Sequence, residues 1–363
     1  MEGMGMNAGF WQGRRVFLTG HTGFKGGWLS LWLQHLGAQV TGYALEADTQ
    51  QPSFFSLAQV GRGMHSIIGD VRDLAFLKKS LYAAEPEVVI HMAAQALVRP
   101  SYTDPVGTYS TNVMGTVHLL EAARSCPQVR AVLNVTTDKC YENREWAWPY
   151  RENDALGGHD PYSNSKACSE LVTQAYCRSF PELGAKGRIA LASARAGNVI
   201  GGGDVARDRL IPDVVKSWHA HEQVQIRSPQ AVRPWQFVLD PLCGYLMLAE
   251  QLYQQGQIFS GPWNFGPDSS QSQTVQWVVE RLARQWGPDA RWQAQAGDHV
   301  HEATTLKLDS SKAQGRLAWR PRLGLEDALE KTLDWYRTWF NAGDMHASSL
   351  DQIRWYEAWG AKP

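Results

Sequence analysis

The sequence predicts an α/β chain: a doubly wound parallel sheet with a smaller, mainly helical lobe interleaved at its C-terminal side. Two observations carry that expectation. Up to residue 194, short apolar runs alternate with helical patterns, the order that produces a parallel sheet with helices on both faces. Between the first run, Val16-Phe17-Leu18, and the helical pattern Trp28, Leu29, Leu31, Trp32, Leu33, Leu36 stands the turn Thr19-Gly20-His21-Thr22-Gly23-Phe24-Lys25-Gly26. Strand, tight glycine turn and helix in that order form the setting of a Rossmann-type dinucleotide site. Gly20 permits the turn, Gly23 lets backbone approach a pyrophosphate, and Gly26 lets helix and strand pack closely, with the helix N-terminus facing the phosphates.

The elements follow in order. Strands are expected at Val16 to Thr19, Val40 to Ala44, Ser66 to Ile68, Val88 to His91, Ala131 to Val135 and Ile189 to Ala194, with helices near 24–36, 73–83, 106–125 and 161–179. After Arg195 the alternation stops. Glycines 201–203, the segment Ile211 to His219 and the Pro- and Trp-bearing stretch 227–236 do not continue it, and from about 266 the chain is Trp-rich and helical, as in Val275 to Trp286 and Leu325 to Phe340. Residues 1–194 with about 237–265 are therefore assigned to the dinucleotide-binding domain, and 195–236 with 266–363 to a substrate-binding lobe.

Composition sets limits. A formal net charge of −1 gives no long-range attraction for nucleic acid or an anionic membrane. There is no run of 18 apolar residues, and Met1 to Gly9 has no apolar signal core, so a cytoplasmic protein is expected. The five cysteines, Cys126, Cys140, Cys168, Cys177 and Cys243, are odd in number and form no Cys-x-x-Cys pair, which argues against a disulfide framework or a zinc site. His219 with His221 and His299 with His301 have the spacing of metal pairs but no supporting carboxylate cluster, so no metal is expected.

Two polar clusters carry chemistry. In Asp160-Pro161-Tyr162-Ser163-Asn164-Ser165-Lys166, Tyr162 and Lys166 lie four apart on one helical face, so the ammonium can sit beneath the phenol and lower its pKa, making Tyr162 a base for a sugar hydroxyl. The spacing alone also arises in helices where the aromatic packs and the lysine is solvated. Upstream, Thr137-Asp138-Lys139 adds a hydroxyl and an acid/base pair, or else a solvated pair in a loop. Glu46, 20 residues after Gly26, stands where an acidic group hydrogen-bonds an adenosine ribose and repels a 2′-phosphate, whereas Lys25 in the glycine loop would favour NADP. Asp70 is either an adenine-side contact or the cap of the helix starting near Asp73.

The stretches Thr19 to Trp28, His91-Met92-Ala93-Ala94-Gln95, Thr137 to Tyr141, Arg195 to Asp204, Arg233-Pro234-Trp235-Gln236 and Trp263 to Pro267 share an order and spacing. With them the chain resembles the extended short-chain dehydrogenase/reductases, and among these the CDP-glucose 4,6-dehydratase group, from about Gly13 to about Arg337. The resemblance implies NAD as cofactor, contacted by Gly20, Thr22, Gly23, Phe24, Lys25, Gly26, Glu46, Asp70, Val71, Ala93, Ala94, Gln95, Thr136, Tyr162 and Lys166. It implies catalysis by Thr137, Asp138, Lys139, Tyr162 and Lys166, and a nucleotide-sugar held by Arg195, Asn198, Arg209 and Arg233. The reaction implied is dehydration of CDP-glucose to CDP-4-keto-6-deoxyglucose, supplying a deoxysugar such as those of lipopolysaccharide O-antigens. A homodimer or dimer of dimers through the helices near 106–125 and 161–179 is likewise implied. Phe237 stands where the group has histidine. Another sugar-nucleotide dehydratase or 4-epimerase, or a silent NAD-binding scaffold, are the other readings of the same residues.

Overall fold

The computed structural model describes residues 7–47, 52–180, 189–268, 271–295 and 306–359. Seven parallel strands make one sheet: β1 (Arg15–Thr19), β2 (Gln39–Ala44), β3 (His65–Ile68), β4 (Val88–His91), β5 (Ala131–Val135), β6 (Ala190–Ala196) and β7 (Gly261–Phe265). Their order is β7-β6-β5-β4-β1-β2-β3, so the winding reverses between β1 and β4, the crevice where ligands bind in such sheets. Six of the seven are the strands expected from the sequence. The seventh, β7, has Gly261 and Pro262 in its first two positions and carries no clear strand pattern; pairing with β6 at the sheet edge, where a proline is tolerated, makes it a strand.

Successive side chains of a strand point to opposite faces, and each face has its own cover. Val16, Leu18, Val88, Ile90, Ala131 and Leu133 pack under α1 (Phe24–His35) and a long helix Leu239–Gln255. Phe17, Val89, Val132 and Leu191 pack under the helices α2 (Leu74–Ala84), α3 (Gly115–Arg124) and α4 (Pro161–Ser179). Asp73 caps α2 by accepting from the Phe76 amide, so Asp70 is not that helix's cap; its carboxylate is held by Arg72 at 2.6 Å. Asp160 caps α4 and Pro161 opens it, which fixes the register that brings Tyr162 and Lys166 to the sheet end.

The helix expected over 106–125 is interrupted by one wide turn, Ser110–Met114. There the Asn112 amide pairs with both backbone groups of Gln95 (2.9 and 3.0 Å) and reaches Ser165 Oγ at 2.8 Å, locking the loop after β4 to α4. Beyond β6, the helices Leu210–His219, Val275–Trp286, Leu325–Phe340 and Met345–Trp359 join the core under α1. Trp28 Nε1 donates to the Gly202 carbonyl at 2.9 Å and Trp32 Nε1 to Glu357 at 2.7 Å, so one core runs through both parts of the chain. The five cysteines are free. His219 stacks on Phe340 and His221 faces Asp289 at 3.9 Å; His299 and His301 lie outside the described residues, among which no metal-ligand cluster occurs. No described helix is long and apolar enough to cross a membrane.

Candidate active site

At the carboxyl ends of β1, β4, β5 and β6 opens a cavity of about 700 Å³, walled on its far side by residues 197–235. Phe24 and Lys25 of the glycine loop line its near side. A Cβ on Gly20 would lie 2.7 Å from the Ala93 amide, and one on Gly26 would lie 2.0 Å from the Gly20 carbonyl; only bare backbone lets β1, β4 and α1 meet this closely. Gly23 caps α1 without a side-chain hydrogen bond, leaving the first-turn N–H groups toward the crevice, as an anion site requires. Thr22 Oγ1 donates to the Leu45 carbonyl at 3.0 Å and holds the loop against the end of β2, where Glu46 is exposed. These residues fit a dinucleotide diphosphate and its ribose.

The polar wall comes from the end of β5 and the first turns of α4. The Tyr162 and Thr137 hydroxyls face each other across the wall. Thr137 Oγ1 donates to Asp138 Oδ1 at 3.0 Å, and Lys139 Nζ lies 3.6 Å from the same oxygen. Asp138 is fully buried, and its Oδ2 has no partner among the described residues. Gly197 packs directly over that oxygen, where a Cβ would come within 3.0 Å of it. Lys139, about one-third exposed, lines the cavity with Tyr162, Phe24, Lys25, Asn198, Arg209 and Arg233. Asn198, on the cavity lining, likewise has its Oδ1 buried without a partner among the described residues. Arg209 is bound to Asp204 at 2.7 Å, and Arg233 donates to the Val232 carbonyl.

Four sequence expectations change. Lys166 does not bring the phenol down as expected: its Nζ donates to the Val135 carbonyl at 3.2 Å, and burial pushes Tyr162 up to about 12, with Thr137 opposing the rise. Arg195 is not a phosphate ligand. Its guanidinium is fully buried, 2.8 Å from Glu170 and 2.7 Å from the Tyr141 hydroxyl, because β6 directs it into the core between sheet and α4. Lys25 is not on the ribose side, where it would have favoured NADP; it turns into the cavity, facing Lys166, Arg209, Asp138 and Asp204. Phe237, fully buried in the core, does not line the cavity, so its exchange for histidine leaves the walls intact. Of the remaining cofactor candidates, Val71 is buried beneath α3, Gln95 spends its side chain on Thr108 and the Leu97 amide, and Thr136 spends its hydroxyl on Glu170. Ala93, Ala94 and Asp70 lie at strand ends.

Lys25 gives this site a measurable signature. Desolvation, aided by the nearby cations, lowers its pKa from the ordinary 10.5 to about 7. Between those values the folded state holds fewer protons than the unfolded chain, so this lysine's cost to stability is full below pH 7 and disappears as pH rises toward 10.5. The thermal midpoint of cofactor-free Lys25→Met is expected to exceed that of the unaltered protein at pH 7 and to converge with it at high pH. Equal pH slopes would place Lys25 in solvent.

The model of the GDP-mannose 4,6 dehydratase family matches residues 17–332, most of the chain. The chain belongs to this family. It is 53% identical, over 96% of its length and 97% of the relative's, to a CDP-glucose 4,6-dehydratase from Salmonella typhimurium, and 28% identical over 88% of its length and 92% of the relative's to a dTDP-glucose 4,6-dehydratase from Xanthomonas campestris. Among solved structures, it shares the fold of a UDP-glucose-4-epimerase from Stenotrophomonas maltophila with bound NAD (TM-score 0.79, 20% identity, 91% of this chain and all of that one). It also shares the fold of a dTDP-glucose 4,6-dehydratase from Bacillus anthracis in complex with NAD (TM-score 0.73, 20% identity, 90% and 97%).

Two residues of this family member's site escaped the sequence reading. Asn112 gives no signal, since an asparagine inside a helical pattern reads as solvated surface. Glu170 gives one: it follows Lys166 by four and shares its helical face.

Proposed function

We propose that the protein is a CDP-glucose 4,6-dehydratase, a hydro-lyase that converts CDP-glucose to CDP-4-keto-6-deoxyglucose. The observation that carries this reading is the convergence of Tyr162, Thr137 and Lys139 on one cavity wall, with Asp138 buried directly behind Thr137 and Lys139, in a chain 53% identical to a protein of that activity. NAD, held by the glycine loop and Glu46, would supply the hydride acceptor for C4 of the glucose and the hydride donor for C6.

The chain's own residues do the rest. The glycine loop and the first turn of α1 hold the diphosphate of NAD, and Glu46 takes the ribose. Tyr162 receives the C4 hydroxyl proton while Thr137 hydrogen-bonds the same oxygen, and the buried Lys166 ammonium supplies positive field beside them. The 4-ketone acidifies the C5 hydrogen. Lys139 removes it, and Asp138, through the unpartnered Oδ2, gives a proton to the C6 oxygen, which leaves as water. Lys139 then returns a proton to C5. An epimerase has no use for the Asp138–Lys139 pair, which favours dehydration over epimerisation. Asn198, Arg209 and Arg233 orient sugar and diphosphate.

The division into a cofactor domain (1–194 with about 237–265) and a substrate lobe (195–236 with 266–363) places the cavity between the two. Exposed Val106 and Met114 on the segment before α3, and Leu171 on α4, offer an apolar face for a homodimer or dimer of dimers. The free cysteines suit a cytoplasmic enzyme.

Product analysis across CDP-, dTDP-, UDP- and GDP-glucose tests the reading. A 4-keto-6-deoxy product formed most efficiently from CDP-glucose, with no net NADH, is expected. Preference for another nucleotide would reassign the substrate, and a C4 epimer would reassign the reaction.

A further inference from the structure

Glu170 is fully buried at the heart of the fold and takes no part in the steps above. Its Oε1 accepts from Thr136 Oγ1 at 2.5 Å; its Oε2 accepts from Ser193 Oγ at 2.6 Å and Arg195 Nη2 at 2.8 Å. One carboxylate on α4 thus binds the end of β5 and two residues of β6. The partners are specific in place. Thr136 directly precedes Thr137, Asp138 and Lys139, while Glu170 stands one helical turn after Lys166 and two after Tyr162. Arg195 is anchored in turn by the Tyr141 hydroxyl at 2.7 Å, and Tyr141 donates to Asn264 Oδ1 on β7.

We propose that Glu170 is a positioning residue for the reaction. Its carboxylate ties the helix presenting Tyr162 and Lys166 to the strand end presenting Thr137, Asp138 and Lys139, and it provides the buried negative charge beside the Lys166 ammonium. A buried ion pair alone is poor evidence of a stabilising role, since apolar replacements often serve as well. Here the geometry does something an apolar pair cannot. Three donors from two strands converge on two oxygens of one side chain, and that fixes the distance between the two halves of the site.

The charge matters for the same reason. Lys166 is faced by Glu170 and Cys140, by Lys25 from α1 and by His91 from the end of β4; burial brings it down to about 8, with Glu170 opposing the fall. Of these neighbours, Glu170 is the one whose carboxylate favours the ammonium most. Removing its charge lowers the pH at which Lys166 discharges, so a step that needs the ammonium fails earlier on the alkaline side.

The inference rests on the dehydratase reading, and the test separates the two. Glu170→Gln, and Glu170→Gln with Arg195→Met to avoid a lone buried guanidinium, are compared with the unaltered protein, all loaded with NAD. The readout is formation of enzyme-bound NADH after adding CDP-glucose, followed across pH. A loss on the order of tenfold to a hundredfold in that rate is expected, as for a misplacement of about 1 Å. KM should change little, and the alkaline limb should move to lower pH in both variants. Folded variants with the unaltered rate and limb, lowered only in thermal midpoint, would overturn the positioning role and leave the dehydratase reading standing. Absence of bound NADH and of product in the unaltered protein would overturn both.

Discussion

Tyr162→Phe is expected to form no detectable enzyme-bound NADH on addition of CDP-glucose, with the rate of C4 oxidation reduced about 10²- to 10⁴-fold, the range of a positioned proton-transfer group. The structure makes the loss specific. The phenol is buried at the cavity wall facing Thr137, so removing its oxygen takes away the proton acceptor without opening the wall. Burial holds its pKa near 12 in the protein alone, so proton removal from the C4 hydroxyl would draw on the charge of the bound cofactor and on Arg209, whose cation favours the phenolate. Stopped-flow absorbance in the near ultraviolet reads the step directly. A variant that accumulates bound NADH at the unaltered rate would remove Tyr162 from the proton path.

Lys139→Met separates the later steps from the first. It should still oxidise C4, seen as bound NADH, but lose exchange of the C5 hydrogen with solvent by on the order of a hundredfold or more. Lys139 has the reach for this: it lines the cavity, is about one-third exposed, and lies 3.6 Å from Asp138, the acid proposed for the other half of the elimination. A lysine accepts a proton only as the free amine, and methionine keeps the stem while removing that amine. Near-normal product would leave Lys139 as an orienting residue. The amine to examine next would be Lys25, which lines the same cavity and whose pKa of about 7 gives it a free-amine fraction at neutral pH.

The sheet was legible wherever one strand carried its own evidence. Buried runs such as Val88 to His91 and Ala131 to Val135 are apolar on both faces, as strands covered on both sides must be. The glycine loop was legible because its geometry demands glycine at Gly20 and Gly26. What sequence could not supply was direction. Lys25, Lys166 and Arg195 were each found as chemistry-bearing residues, yet each points elsewhere than expected: into the cavity, onto a strand carbonyl and into the core. Side-chain direction at a strand end or helix start depends on neighbours distant in sequence, as Glu170 and Tyr141 are from Arg195. The edge strand β7 escaped for a related reason: its pairing with β6, not its composition, makes it a strand.

The central claim is that this wall of residues oxidises C4, eliminates across C5 and C6, and returns the same hydride within one closed cycle. Turnover of CDP-glucose carrying deuterium at C4, run in ordinary water, and of unlabelled CDP-glucose in deuterated water tests it most directly. The account predicts that the C4 deuterium appears at C6 in the first case, and that one solvent deuterium enters C5 in the second. A product with no solvent label at C5, or with the C4 label lost to water, would contradict it.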